Sequence, residues 1–245
     1  MMESSVQEII FQPIADVYRM TSEDMEYRLK FMSAGREDVD VRCLGDGRPF
    51  AIEINDPRRE LTKEELNKIC EDISRDKKVI VNNMVHITRD DLTQLKKGEE
   101  TKCKTYEALC IKLSHSQDDE ITANGDTPVV VTEKDIENIN KYRNTEDESC
   151  RIVLSQKTPI RVLHRRPLLT RTRRILELSA QRVPDHPQLL RVHVVTEAGT
   201  YIKEWAHGEA RRTKPCLGDA IGARVDILAL DVDSVHLTWP PVTAV

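Results

Sequence analysis

The sequence predicts an α+β fold with a mixed sheet and flanking helices. Capping boxes open amphipathic segments, a pattern typical of helices, while other segments alternate apolar and polar residues as strands do. Strand patterns at 188–196, 224–231 and 234–239 close the chain, and antiparallel pairing of such consecutive strands favours α+β over a doubly wound fold. With 245 residues the chain can bury a substantial core, and with 4% aromatic residues that core must rest on Ile, Leu and Val.

A helix and a β-hairpin are predicted at the start of the chain. Residues 5–8 form a capping box that opens the helix. Residues 39–45 and 48–54 then alternate apolar and polar side chains around Asp46-Gly47, a two-residue turn of the hairpin type. Asp38 would therefore lie at the end of a sheet.

The remaining elements follow from capping boxes, alternation and turn residues. They are a helix opened by Thr62–Glu65, a strand at 78–81, a strand through Tyr106, Leu109 and Ile111, a mobile surface loop at 114–128, a helix opened by Thr132–Asp135, a polar loop at 144–150 and a helix after Ala198-Gly199.

Charge is divided unevenly along the chain. The net charge is −5, but residues 151–245 hold 15 Lys and Arg against 9 Asp and Glu, a balance of +6. Residues 1–150 therefore carry −11. Six cysteines occur without a C-x-x-C pair, which predicts free thiols in a reducing compartment. No secretory signal or membrane span is recognisable, so we expect an intracellular protein, in the nucleus or cytoplasm if it is eukaryotic.

Six arginines and no acidic residue lie between positions 161 and 174. Such a cluster is commonly a solvated surface. The absence of a compensating acid and the interruption by Pro167 favour a groove or loop that contacts phosphates. Nucleic acid is therefore the expected partner, with a plain basic surface as the alternative.

Common catalytic motifs are missing from the sequence. There is no G-x-S-x-G, H-E-x-x-H, complete G-x-G-x-x-G or Walker-type loop, and no histidine has metal-ligand spacing, so neither a nucleotide cofactor nor a metal is indicated. Three residues remain as candidates: Asp38, Tyr106 and Lys203. They can supply a carboxylate nucleophile, an aromatic face and a cation. Each has an ordinary alternative, namely a surface ion pair, a half-buried aromatic and an exposed lysine, and the octapeptide at 35–42 does not choose between Asp38 and Asp40.

Several longer motifs resemble the pseudouridine synthase ten family, the archaeal and eukaryotic tRNA pseudouridine synthases. In family order, they are Gly35–Arg42, Gly45–Phe50, Lys104–Tyr106, Thr158–Pro167, Gly199–Glu204 and Arg212–Pro215. The match spans nearly the whole chain and implies one catalytic domain over residues 1–245, made of two subdomains. It also implies the pseudouridine synthase fold, a curved mixed sheet in two halves with a central catalytic cleft.

The resemblance implies roles for the candidate residues. Asp38, rather than Asp40, matches the nucleophile, Tyr106 matches the tyrosine that packs against uracil, and Lys203 matches the basic partner of the aspartate, with Ile202 as its apolar neighbour. Family members isomerise uridine to pseudouridine at positions 54 and 55 of tRNA without a cofactor. We expect a monomer that binds tRNA, and the residues expected to contact RNA are Arg36, Arg42, Arg161, His164, Arg165, Arg166, Arg171, Arg173, Arg212 and Lys214.

The sequence also departs from the family pattern. The usual His-Gly-Asp-Phe-Gly-Arg-Thr-Lys-Pro-Asn reads His207-Gly-Glu-Ala-Arg-Arg-Thr-Lys-Pro-Cys216 here, and the loop at 114–128 looks inserted. The family's N-terminal region, with a THUMP domain and a cysteine zinc site, is not among these residues, so we expect weaker RNA affinity. Two other hypotheses stay open: an RNA-binding or chaperone module without turnover, and a protein-interaction domain suggested by the acidic first part.

Overall fold

The computed structural model describes residues 4–36, 38–101, 103–117, 119–120, 126–142 and 151–240. The elements in chain order are α1 Val6–Tyr18, α2 Ser22–Arg28, β1 Leu29–Ser33, β2 Val41–Cys43, β3 Phe50–Ile54, α3 Lys63–Ser74, α4 Arg89–Thr101, β4 Lys104–Lys112, α5 Glu133–Asn140, β5 Ile152–Lys157, a 3₁₀ helix Ile160–Val162, β6 Thr170–Val183, β7 His186–Thr196, α6 Ile202–His207, β8 Thr213–Lys214, α7 Leu217–Ile221 and β9 Val225–Val235. The described residues form two compact units: the first holds those within 4–36, 48–99 and 237–240, and the second holds those within 38–47 and 100–236.

The first unit packs α1 and α3 with the two-stranded sheet β1–β3. Its core is made of aliphatic and aromatic side chains from these elements, among them Ile10, Phe11, Leu29, Ile69 and Ile73. The predicted capping boxes open both helices: the Ser5 hydroxyl accepts from Glu8 N and the Thr62 hydroxyl accepts from Glu65 N. Both helix predictions are confirmed.

The predicted β-hairpin around Asp46-Gly47 is wrong. β3 pairs with β1 in the first unit, with Met32 opposite Ala51, whereas β2 pairs in parallel with β9 in the second unit, with Val41 opposite Leu230. Alternation of apolar side chains specifies a strand, but it does not specify which strand lies beside it. The turn residues are nevertheless of the expected kind, since Gly47 has φ 85°.

The strand predicted at 78–81 is also absent from this part of the chain. Val81 N donates to the Ser74 hydroxyl at 3.0 Å, and the Val81 side chain is 7% exposed in the core of the first unit. These apolar residues belong to a coil segment that packs against α3, and they do not pair with another strand among the described residues.

The second unit is built on a seven-stranded sheet with the order β2-β9-β4-β7-β6-β5-β8. Only the β2–β9 pair is parallel, and every other pair in this sheet is antiparallel. The predicted α+β class with a mixed, mostly antiparallel sheet is therefore confirmed. Helices α5 and α6 pack on β6 and β9, and Trp205 of α6 is 1% exposed.

The two strands predicted at 224–231 and 234–239 are one strand, β9, which ends at Val235. Its register against β4 shifts between Thr105 and Tyr106 and again between Leu109 and Cys110. Such bulges change which side chains face the core, so the alternation in the sequence looks interrupted although the strand continues.

Other predictions for this unit hold within the described residues. The strand through Tyr106 is β4, the helix opened by Thr132 and Asp135 is α5, and α6 follows Gly199 as expected. Residue 118, residues 121–125 of the predicted 114–128 loop and the polar loop at 144–150 lie outside the described part of the chain.

Asn140, at the end of α5, closes part of the β6 edge. Its side-chain amide donates to Ala180 O at 3.1 Å and accepts from Ala180 N at 2.7 Å. Beside it, Tyr142 O accepts from Leu178 N at 3.4 Å. These bonds satisfy backbone groups of β6 beyond the segment that pairs with β5, which ends at Ile175.

A buried lysine joins the end of β4 to α5. Lys112 is fully buried and its Nζ lies 2.7 Å from both Asp119 Oδ2 and Asp135 Oδ2. It also donates to the Ser116 hydroxyl at 3.3 Å. Because Asp135 also caps α5 through Thr132 N, this cluster fixes both the loop after β4 and the start of the helix.

The described cysteines are all free thiols, and no helix in the described ranges combines the length and the apolar character that crossing a membrane requires.

Candidate active site

Asp38 lies in the turn that leads into β2. Its carbonyl accepts from Val41 N at 3.1 Å, which closes the turn, and its side chain is 29% exposed. A carboxylate in this position is held by the strand that follows, yet solvent and a bound molecule can reach it. Asp38 is therefore both fixed in position and accessible, as a reactive group must be, whereas a side chain in the core would not be accessible.

Two cations contact the Asp38 carboxylate. Arg161 Nη1 lies 2.6 Å from Asp38 Oδ2, and Lys203 Nζ lies 3.4 Å from the same oxygen. The family motifs predict Lys203 beside Asp38 and Arg161 at the phosphates of RNA. The structure brings both cations to Asp38, with Arg161 the nearer.

Arg161 is itself held by Glu204, a residue that the sequence analysis did not single out. Arg161 Nε and Nη2 donate to the two carboxylate oxygens of Glu204 at 2.6 and 3.3 Å. The Glu204 side chain is 3% exposed. Burial alone would lower the pKa of Arg161, but the hydrogen bond and charge of Glu204 and the charge of Asp38 raise it. The Arg161 guanidinium also lies 5.9 Å from the Tyr201 ring centre, within cation–π range.

Lys203 has a second carboxylate partner. Its Nζ lies 2.6 and 2.8 Å from the two oxygens of Asp40, whose side chain is 72% exposed. The hydrogen bond from Lys203 lowers the pKa of Asp40. Asp38 and Asp40 thus share one lysine. The sequence separated the two acids only by family resemblance, whereas the structure separates them by exposure and by the contact with Arg161.

The helix that carries Lys203 and Glu204 is anchored to β5 by Gln156. The Gln156 side chain accepts from Tyr201 N at 2.9 Å and donates to Tyr201 O at 3.0 Å, and it is 3% exposed. Tyr201 is the residue immediately before α6. A buried amide that binds both backbone groups of this residue fixes where α6 begins. Nothing in the local sequence around Gln156 signals this role.

Tyr106 lies in the interior of the second unit. It stands in β4 between Val194 of β7 and Val232 of β9, and it is 4% exposed. The family resemblance predicts that the face of this tyrosine packs against a base. In the described arrangement, a base would reach this ring only if the side chains that cover it moved. Ile202, the predicted apolar neighbour of Lys203, is likewise buried, at 3% exposure.

Apart from Arg161, which contacts Asp38 and Glu204, the basic residues predicted to contact RNA fall into two groups. His164, Arg165, Arg166 and Arg171 are exposed in or beside the segment between the 3₁₀ helix and β6. Arg36 is exposed in the first unit, and Lys214 is exposed in β8. These side chains are available to an anionic partner.

The other predicted RNA contacts already have partners in the protein. Arg42 makes a two-point ion pair with Asp231, at 2.7 and 2.5 Å. Arg173 Nε donates to Gly199 O at 3.3 Å. Arg212 Nη2 donates to Thr158 O at 2.6 Å. These three arginines hold neighbouring elements together, so any phosphate contact would compete with internal bonds.

The sequence was compared with known protein families and curated proteins. The family model described as "Pus10, C-terminal" matches residues 1–236. A human protein named tRNA pseudouridine synthase Pus10 is 40% identical over 242 residues, which is 98% of this chain and 40% of the relative. The Methanocaldococcus jannaschii protein of the same name is 36% identical over 233 residues, 95% of this chain and 44% of the relative. The chain thus spans less than half the length of these relatives.

Among solved structures, a Cbf5-Nop10-Gar1 complex is similar with a TM-score of 0.43 at 17% identity, over 89% of this chain and 42% of the matched chain. The family assignment depends instead on the family model, which covers all but the last residues of the sequence. The motifs quoted from the sequence and the α+β architecture agree with it. The chain belongs to the Pus10 C-terminal family.

Proposed function

We propose that this chain is the catalytic domain of a tRNA pseudouridine synthase and that Asp38 is its nucleophile. The observation that carries the proposal is the meeting of Asp38 with Arg161 and Lys203 in a chain of this family. Three segments far apart in sequence bring one partly exposed carboxylate and two cations together, and the proposed reaction needs an ionised carboxylate.

The reaction would proceed by exchange of one glycosidic bond for another. The Asp38 carboxylate attacks C1′ of the ribose, or assists departure of the base, and the N1–C1′ bond breaks with its electron pair remaining on uracil. The uracil turns, C5 bonds to C1′, and the carboxylate is released. C5 then loses its proton and N1 gains one, so the product is an isomer of the substrate. No electron donor or acceptor is needed.

Arg161 and Lys203 support this step by orienting the Asp38 carboxylate, since both contact its Oδ2. Arg161 is shared with buried Glu204, whereas Lys203 is shared with exposed Asp40. When RNA binds, Lys203 can exchange Asp40 for Asp38 or for a phosphate with little rearrangement.

The exposed basic residues suit a folded RNA. Arg165, Arg166 and Arg171 follow Arg161 in the chain, so an RNA held by its phosphates on these side chains would place a nucleotide beside Asp38. The target uridine must leave its stack to be reached. We propose that Tyr106 contacts the displaced uracil once the side chains that bury the tyrosine ring have moved aside.

The names of the relatives support tRNA as the substrate. The family resemblance alone suggests uridines 54 and 55 of the TΨC arm as the positions modified. We expect the chain to act as a monomer without a nucleotide cofactor, in the compartment where its tRNA resides.

The proposal is tested by incubating the chain with unmodified tRNA that carries tritium at C5 of uridine. We expect the wild type to release tritium and Asp38→Asn to release none while still binding tRNA. Asp185→Asn is the matched control, because Asp185 lies in the β6–β7 turn with φ 62°, a conformation that asparagine tolerates. Full activity of Asp38→Asn would exclude Asp38 as the nucleophile.

Mapping of pseudouridine in the treated tRNA gives the positions modified. Tight tRNA binding without any pseudouridine would favour the RNA-binding or chaperone hypothesis. RNA binding that did not weaken with salt would count against a phosphate-dominated interface and would favour the protein-interaction hypothesis.

A further inference from the structure

The turn after α6 contacts the segment that carries Arg161. Glu209 Oε1 accepts from Ile160 N at 2.8 Å, and Ile160 is the first residue of the 3₁₀ helix that contains Arg161. The first N–H groups of a helix have no partner within the helix, so Glu209 satisfies a group that would otherwise need water. Its side chain is 13% exposed.

Arg212 completes a clamp on the same segment. Its Nε donates to Glu209 Oε2 at 3.1 Å and its Nη2 donates to Thr158 O at 2.6 Å. Thr158 closes the following loop, because its hydroxyl donates to Pro167 O at 2.7 Å and accepts from Leu169 N at 3.0 Å. The clamp therefore holds the base of the loop on which Arg161 lies.

The backbone of the turn itself is unusual. Glu209, Ala210 and Arg211 have φ of 41°, 51° and 66°, the left-handed region that disfavours residues with a side chain. Such a conformation is maintained only when surrounding contacts outweigh its cost. Here the contacts are those that Glu209 and Arg212 make with 158–160, which indicates that the placement of that segment has a role.

We infer that Glu209 and Arg212 are positioning residues for the reaction at Asp38. They act through Arg161. Their hydrogen bonds fix the position of the 3₁₀ helix, and that position allows the 2.6 Å contact between Arg161 and Asp38. This inference rests on the proposed function. It also assigns a task to the 207–216 segment in which this chain departs from the family pattern.

The test is a double-mutant cycle with single-turnover kinetics on tRNA. We expect Glu209→Ala to lower the rate constant about 10- to 100-fold, since misplacement of a group by about 1 Å can cost that much. KM should change less than about threefold. Glu209→Gln keeps an oxygen for Ile160 N but turns an amide donor toward Arg212, so it should restore only part of the rate. In an Arg161→Ala background, Glu209→Ala should change the rate less than about twofold.

Glu133→Ala is the matched control. Glu133 also pairs with an arginine in the second unit, Arg182, at 2.8 Å, but that pair is on an exposed surface with Glu133 74% exposed. We expect wild-type kinetics from this variant. Wild-type kinetics from Glu209→Ala, or an equal loss of rate with and without Arg161, would overturn the inference.

A second measurement does not depend on turnover. Arg161 Nε donates to Glu204 at 2.6 Å, so its Nε–H proton should exchange slowly with solvent and be visible by NMR. We expect Glu209→Ala to speed this exchange at least about tenfold and Glu133→Ala to leave it unchanged. If the wild type lacked synthase activity, the proposed function would fail, while unchanged exchange in Glu209→Ala would show separately that the clamp does not hold Arg161.

Discussion

Substitution of Lys112 by methionine should destabilise the second unit in a way that depends on pH. Lys112 is fully buried and lies 2.7 Å from both Asp119 and Asp135, whose side chains are 7% and 3% exposed. Methionine has nearly the same length and no charge. The variant therefore leaves two buried carboxylates next to each other without a cation.

The magnitude follows from the contacts. Burial alone would raise the pKa of Asp119, but hydrogen bonds from Lys112 and Ser116 lower it from 3.8 to about 2. At 1.36 kcal/mol per pKa unit, the Asp119 shift corresponds to about 2 kcal/mol, of which Lys112 supplies a part because the Ser116 bonds remain in the variant. Asp135 lies at the same distance from Lys112, so the total should reach the range of about 3–5 kcal/mol measured when one partner of a buried pair is removed.

The sign of the pH dependence differs between the two proteins. In the wild type, the pKa of Asp119 is depressed, so its contribution is complete above pH 3.8 and is lost as the pH falls through about 2. In Lys112→Met, protonation relieves the repulsion between the carboxylates. The difference in the free energy of unfolding between the wild type and the variant should therefore become smaller as the pH is lowered from 7 to 4.

The assay is urea unfolding followed by the fluorescence of Trp205, which is 1% exposed in the second unit. The chain has two tryptophans, so a Trp239→Phe background leaves Trp205 as the only reporter. Lys141→Met, at the exposed end of α5, is the control and should cost less than about 0.5 kcal/mol. Adding Asp119→Asn and Asp135→Asn to Lys112→Met should recover much of the stability.

A loss of less than about 1 kcal/mol at pH 7, or a deficit that stays constant down to pH 4, would refute this reasoning. Either result would mean that the carboxylates are solvated or already protonated.

Three further predictions follow from the site and its supports. Arg211→Gly should raise the free energy of unfolding by about 1 kcal/mol in urea, because Arg211 has φ 66°; unchanged or lower stability would contradict this. The double substitution Arg165→Ala and Arg166→Ala should reduce the slope of log affinity for tRNA against log salt by between about 1 and 2, and an unchanged slope would place phosphates elsewhere. Gln156→Leu should cost about 2 kcal/mol and lower the rate of turnover, because Tyr201 loses both of its bonds to the Gln156 amide; wild-type stability would contradict this.

Local features of the fold were predictable from the sequence, and distant pairings were not. The capping boxes at Ser5, Thr62 and Thr132 involve residues three positions apart, so the sequence shows both partners at once. The partner of β2 is about 190 positions away in β9, and no local pattern identifies it. The hairpin prediction paired β2 with β3, the next strand in the sequence, because alternation and turn residues carry information only about neighbouring segments.

The same distinction applies to the candidate site. Asp38 and Lys203 were selected because the motifs around them resemble a family, and the structure brings them within 3.4 Å. The pairing of Arg161 with Glu204 could not be read in the same way, because the basic cluster around 161–174 looks like a uniform phosphate surface. The charge of Arg161 is visible in the sequence, but its ion pair with buried Glu204 is a property of the fold.

The amide of Asn140 has a consequence for the behaviour of this protein at high concentration. An unpaired strand margin invites a strand from another molecule, which is how many sheets begin to aggregate. Here such an intruding strand would have to displace both bonds between Asn140 and Ala180 before it could pair with that part of β6. One side chain at the end of a helix thus makes this stretch of β6 a poorer template for a strand from another molecule.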